Sequence, residues 1–140
     1  MNILVINGPN LNMLGIREKE IYGACTYLEL VQFIELEAKR VGATAYVFQS
    51  NHEGEIISEI QKALGKFDAI IINAGAYTHT SIGILDALKA VNIKTVEVHL
   101  SDINAREDFR KFSYISLFAK KVIAGKGFEG YKIALEYLVK

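Results

Sequence analysis

The sequence predicts an α/β protein built on a doubly wound, five-stranded and mostly parallel sheet with helices on both faces. Three observations predict it. Short β-branched runs recur along the chain, and between them lie longer stretches whose apolar residues repeat with helical period. Two of the runs are apolar at every position, as strands covered on both faces require. Strand and helix signals alternate at the spacing of βαβ units.

The elements follow in order. Ile3–Ile6 is the first run, apolar throughout. A long connection leads to Thr26-Tyr27-Leu28-Glu29, which has the capping-box pattern, and Leu28, Val31, Ile34, Leu36 and Ala38 mark the helix it starts. Gly42 stands where that helix should end. Thr44–Phe48 is the second strand; Ile56, Ile57, Ile60 and Leu64 mark the second helix, with Gly65 at its close. Ala69–Ile72 is again wholly apolar and is followed by a helix carrying Ile84, Leu85, Leu88 and Val91. Thr95–Leu100 is the fourth strand and Lys121–Ala124 a weaker fifth; Ile133, Ala134, Tyr137 and Leu138 mark a last helix. Right-handed crossovers between five such strands give the flavodoxin-like order 2-1-3-4-5. With no repeat, linker or low-complexity segment, residues 1–140 are expected to form one domain.

Composition narrows the function. The chain is 51% apolar, enough for a packed core, and its 16 basic and 16 acidic side chains cancel. A neutral balance offers no broad basic face to nucleic acid and no polybasic stretch to a membrane. The single Cys25 excludes an intrachain disulfide and a multi-thiolate metal site, and reads as a small semi-buried hydrophobe near a helix start. Met1-Asn2-Ile3-Leu4-Val5-Ile6-Asn7 lacks a basic leader and reads as a strand, so a cytoplasmic location is expected. No apolar run approaches the ~20 residues of a membrane span.

In an open α/β sheet, ligands bind beyond the carboxyl ends of the strands where the order reverses, here between strands one and three, beside strand four. Asn7-Gly8-Pro9-Asn10, Asn73 to Ser81, and Glu97 to Asp102 therefore share one rim. The end of strand two, Gln49-Ser50-Asn51-His52, should lie away from it, with His52 on the surface or at a helix cap. The connection 8–25 far exceeds the ~2–6 residues usual for a βα loop and reads either as a lid, with Gly8, Gly15 and Gly23 as hinges, or as a surface insertion.

Candidate chemistry collects on this rim. Glu97 and His99 are two apart on a strand and share a face, where a carboxylate fixes an imidazole's tautomer and favours its protonated form. A structural ion pair is the plainer alternative. Arg106 and Arg110, four apart, would lie on one side of a helical turn and either bind an anion or stand solvated. In the loop, Arg17 near Tyr22 would favour phenolate, since a tyrosine is otherwise a poor base with a reference pKa of about 10. Walker-type and Gly-x-Gly-x-x-Gly patterns are missing, and Pro9 stands where a flavin-phosphate cradle needs backbone donors. No metal-ligand spacing stands out, so neither cofactor nor metal is expected.

Gly8-Pro9-Asn10-Leu11-Asn12, Leu14-Gly15-x-Arg17, Tyr22-Gly23, Ser50-Asn51-His52-Glu53-Gly54, Asn73-x-Gly75-Ala76-Tyr77-Thr78-His79-Thr80-Ser81, Glu97-Val98-His99-Leu100-Ser101 and Ala105-Arg106-Glu107-x-Phe109-Arg110 together resemble the motifs of the type II 3-dehydroquinate dehydratases, in that family's order and over essentially the whole chain. Ala74 and Lys19 stand where the family commonly has proline, and Asp102 and Asn104 also depart, Asp102 adding negative charge near the anion-binding end.

The resemblance implies elimination of water from 3-dehydroquinate to give 3-dehydroshikimate, a step of the shikimate pathway of aromatic amino-acid biosynthesis, without cofactor. It implies Tyr22 as base with Arg17 beside it, Asn10 holding a water against the enolate oxygen, and His99 as acid oriented by Glu97. Asn73, Leu100 and Ser101 would hold the carboxylate, and His79 and Arg110 the ring hydroxyls. Asp86 would reach in from a neighbouring subunit, and Arg106 would shape the field around Tyr22. Homo-oligomers built from trimers, usually dodecamers, are implied too. The alternatives from other classes are a non-catalytic module that binds a small polyhydroxy acid, and a flavodoxin-like electron carrier.

Overall fold

The computed structural model describes residues 1–16 and 25–140. Its sheet has five strands, β1 (Asn2–Asn7), β2 (Thr44–Gln49), β3 (Ala69–Asn73), β4 (Lys94–His99) and β5 (Lys121–Ala124), all parallel and ordered β2-β1-β3-β4-β5. The helices are α1 (Tyr27–Arg40), α2 (Glu53–Lys62), α3 (Ile82–Val91) and α4 (Glu129–Val139). This is the doubly wound, flavodoxin-like fold the alternation predicts.

The apolar runs behave as strands buried on both faces. Five of six residues in β1 and all five in β3 are buried. Period-two alternation divides their side chains between two cores. Ile3, Val5, Ala69, Ile71, Val96 and Val98 pack under α1 and α4, against Leu30, Ile34, Tyr131 and Leu135. Leu4, Ile6, Ile70 and Ile72 pack under α2 and α3, against Ile56, Ile60, Ile84 and Leu88. Burying each such side chain contributes roughly 1.5–3 kcal/mol before entropy is charged against it.

Local signals set the boundaries. The Thr26 hydroxyl accepts from the Glu29 N–H at 3.2 Å and the Glu29 carboxylate accepts from the Thr26 N–H at 3.5 Å, so the capping box is formed. Gly42 and Gly65 take φ of +80° and +78° just beyond α1 and α2. Cys25 corrects the expectation made for it: it is exposed, not semi-buried. Among the described residues, no helix is long and apolar enough to cross a membrane.

The strand ends meet in register. Gln49 pairs with Asn7 and Asn7 with Asn73, so three amide side chains stand in a row at the carboxyl edge. Backbones also come close here. A Cβ on Gly8 would lie 2.4 Å from the Ala74 carbonyl oxygen, and one on Gly75 would lie 3.0 Å from that of Pro9. Gly8 is therefore a packing glycine locked by its N–H to the Asn73 carbonyl at 2.8 Å, rather than a hinge.

Candidate active site

Beyond the carboxyl ends of β1, β3 and β4 lies a cleft enclosing about 520 Å³, part of it open to solvent. Its walls are the predicted rim: Asn10, Asn73, Gly75, His79, His99, Leu100, Ser101, Arg106 and Arg110 among them.

Glu97 and His99 point from β4 into the layer of α2 and α3, because the alternate residues Val96 and Val98 face the other core. Glu97 is fully buried and His99 nearly so. The imidazole Nε2 hydrogen-bonds the Glu97 Oε2. A carboxylate can only accept, so Nε2 carries the proton and Nδ1 is the nitrogen left to react. Three hydroxyls surround the same carboxylate: Ser113 donates at 2.7 Å, Ser116 at 2.6 Å, and Thr78 stands at 3.3 Å. Thr78 and Ser113 are also 2.5 Å apart. Each hydroxyl has one proton, and Ser113 is the nearer to the carboxylate, so the bonds run from Thr78 to Ser113 to Glu97. Burial pushes the Glu97 carboxyl upward, but hydrogen bonds from His99, Ser116 and Ser113 and the attraction of His99 outweigh it and hold the group below its ordinary value.

His79 lies at the end of the 3-10 helix after β3, and its Nδ1 is 2.7 Å from the Phe112 carbonyl. That carbonyl must accept, so Nδ1 carries a proton, and the ring of His79 lines the cleft. Arg106 and Arg110 reach the same cleft by a different route from the helical turn expected. Residues Ile103–Ala105 and Asp108–Arg110 are two short 3-10 helices, and Arg106 between them is extended. The Arg106 Nη1 donates to the Ser101 hydroxyl at 3.3 Å; Arg110 bonds Glu107 at 3.2 Å and lies 5.1 Å over the Phe109 ring.

Asn10 sits in the left-handed region at φ 69°, a conformation asparagine tolerates better than most residues, and it too lines the cleft. Its N–H donates to the Asn51 Oδ1 at 3.0 Å, and Gln49 donates to that oxygen and to the Gly8 carbonyl, each at 3.2 Å. The end of β2 is thus outside the cleft, as expected, yet it braces the turn that carries Asn10. His52 is exposed at the N-cap of α2 and makes no capping bond with its side chain. Asp86 is exposed on α3 and does not line the cleft. The Asp102 carboxylate accepts from the Asn104 N–H at 3.0 Å, which turns its charge toward its own 3-10 turn. Arg17 and Tyr22 lie outside the described residues.

Sequence reasoning gave no role to Thr78, Ser113 or Ser116. Thr78 stood inside a quoted motif; the two serines follow no strand end and belong to no periodic pattern, so only the folded chain brings them to Glu97.

A buried carboxylate–imidazole dyad, two guanidinium groups and several amides at the switch point of a doubly wound sheet define a class: sites equipped to hold a small anion and move protons on it. The family model described as dehydroquinase class II matches residues 1–139. A 3-dehydroquinate dehydratase of Clostridium acetobutylicum is 54% identical over 138 residues, covering 99% of this chain and 96% of its own. A catabolic 3-dehydroquinase of Aspergillus clavatus is 52% identical, covering 98% and 91%. The crystal structure of a type II dehydroquinase from Butyrivibrio crossotus superposes with a TM-score of 0.98 at 49% identity, covering 100% of this chain and 98% of that one. The chain belongs to the class II dehydroquinase family.

Proposed function

We infer that the protein dehydrates 3-dehydroquinate to 3-dehydroshikimate, and that residues 1–140 act as one catalytic domain. The observation that carries this is the Glu97–His99 dyad, buried and polarised against the wall of a cleft in a chain of this family.

Each step has a residue suited to it. Tyr22, as phenolate beside Arg17, takes the C2 proton, and the electron pair moves onto the ketone oxygen. Asn10 holds a water against that enolate oxygen. The enolate then collapses, the C1–O bond breaks, and His99 gives its Nδ1 proton to the departing hydroxyl, which leaves as water. His99 enters this step as imidazolium with its Nε2–H on Glu97 and is left as the neutral Nε2–H ring. Base and acid stand on separate elements, which suits an anti elimination. Positioned acid and base supply ~10²–10⁴-fold each, and enolate stabilisation and positioning the remainder.

Binding follows the same rim. The substrate carboxylate lies against the backbone N–H groups of Leu100 and Ser101, with the Ser101 hydroxyl and the Asn73 amide. His79 and Arg110 hold the ring hydroxyls. Support for Ser101 is the Arg106 guanidinium, which donates to its hydroxyl and puts positive charge beside it. Asp86, exposed on α3, completes the site of a neighbouring copy in a homo-oligomer, a dodecamer of trimers, in the cytoplasm.

The test is a direct assay: chelator-treated protein is mixed with 3-dehydroquinate and the conjugated enone product is followed by ultraviolet absorbance. A second sample is treated with borohydride in the presence of substrate, freed of both and assayed again. An enzyme that needs neither metal nor Schiff base keeps its activity through both treatments. Substrate binding without product would demote the chain to a binding module.

A further inference from the structure

One buried titratable group stands outside the mechanism. Tyr131, on α4, is fully buried, and its hydroxyl reaches the strand ends where Asn7 and Asn73 are register partners. Both asparagines face the α1 and α4 layer, opposite to Glu97 and His99, so whatever Tyr131 does is separate from the acid dyad.

The hydrogen bonds here have a single consistent direction. The Gly75 N–H meets one Asn73 amide atom at 3.2 Å, and a backbone N–H can only donate, so that atom is the oxygen. The Asn73 nitrogen therefore faces the Tyr131 hydroxyl, at 3.1 Å, and donates to it. Tyr131 has one proton, and it goes to the Asn7 oxygen at 2.6 Å. The Asn7 nitrogen is left facing the Tyr27 hydroxyl at 3.4 Å. Burial raises the Tyr131 phenol far above its ordinary range, so it remains a donor. Chains of this kind polarise along their length.

We infer that Tyr131 is a positioning residue for carboxylate recognition: its oxygen takes one hydrogen of the Asn73 amide and so holds the second toward the cleft that Asn73 lines. The role rests on the reading of Asn73 as a carboxylate ligand given above. Without the Tyr131 oxygen the amide loses one of its two anchors, and its remaining donor is no longer held in place. Proton delivery by His99 and Glu97, which face the other layer of the sheet, is untouched.

A double-mutant cycle tests this with 3-dehydroquinate as substrate. Tyr131→Phe keeps the ring and removes the hydroxyl; Asn73→Ala removes the amide. Each single variant is expected to raise KM about ten-fold, the scale of one hydrogen bond to a charged group, and Tyr131→Phe to keep kcat within about three-fold of wild type. In the Asn73→Ala background, Tyr131→Phe should raise KM no further. Unchanged KM in Tyr131→Phe with raised KM in Asn73→Ala would overturn the role of Tyr131 alone. Unchanged KM in Asn73→Ala would remove the carboxylate reading and this inference with it. A fully additive KM penalty, or a lowered Tm with KM intact, would reduce Tyr131 to a packing residue. If Tyr131→Phe does not fold, Asn7→Leu takes its place in the same cycle: it leaves the Tyr131 proton without its acceptor and so loosens the phenol from the Asn73 amide. A roughly two- to ten-fold rise in KM, absent from the Asn73→Ala background, is then expected, and an unchanged KM would overturn the role.

Discussion

At the residue scale the acid dyad is the most sharply defined part of the site. With Nε2 held by Glu97, His99 acts through Nδ1, and removing the ring should remove proton delivery. His99→Ala is expected to lower kcat by ~10²–10⁴-fold while changing KM little; near wild-type turnover in the absorbance assay would discard His99 as the acid. Tyr22→Phe should be as severe and leave ligand affinity mostly intact, and an active variant would move the base elsewhere. Gly8 gives a different kind of prediction. Its missing Cβ would sit 2.4 Å from a backbone carbonyl, so the strand-end turn must shift if one is added. Gly8→Ala should cost about 1–3 kcal/mol and reduce kcat/KM at least ten-fold, because Asn10 and Asn73 ride on the two backbones pushed apart. The dyad was legible in the sequence because two residues on one strand share a face by period alone. Ser113 and Ser116 were not, since they meet Glu97 across 16 and 19 residues through two irregular turns. Tyr131, 124 residues from Asn7, is hidden for the same reason.

At the element scale, the strands could be read because parallel strands buried on both faces leave long apolar runs, and the helices because caps and glycines mark their ends. The segment 103–110 could not. Its Arg-x-x-x-Arg spacing fits a helical turn, yet the chain forms two 3-10 helices broken at Arg106, and both guanidinium groups still reach the cleft. Tertiary placement of the charges has overridden local period there. The capping box of α1 is the converse case, a local signal realised as written at the start of the helix. Thr26→Ala should destabilise the fold by about 1 kcal/mol, seen as a lower urea midpoint at unchanged slope, and Thr26→Ser should restore it. An unchanged midpoint would mean that α1 is held by its packed face alone.

At the scale of the whole molecule, Glu97 links three parts of the chain: β4, the 3-10 helix after β3 through Thr78, and the 111–117 segment through Ser113 and Ser116. Its carboxyl is held below the ordinary value, despite burial, by the donors gathered around it. The sign follows from linkage. A group whose folded pKa is depressed binds fewer protons when folded than when unfolded, so it adds stability above its unfolded pKa, about 4.3 for glutamate. That contribution is lost as pH falls through the depressed folded value. Removing one donor raises the folded value and shrinks the contribution, which gives a pH-dependent penalty. Ser116→Ala, measured by urea unfolding, should therefore be clearly destabilised at pH 7, and the gap to wild type should narrow progressively below about pH 4 as Glu97 protonates in both proteins. The exposed Glu107, also held low by its own backbone N–H and by Arg110, should show no such effect when Arg110 is replaced, because solvent screens it. A Ser116→Ala gap that stays constant from pH 7 to pH 3 would show that the serine only fills space, and that the buried charge of Glu97 is supported by His99 and Ser113 without it.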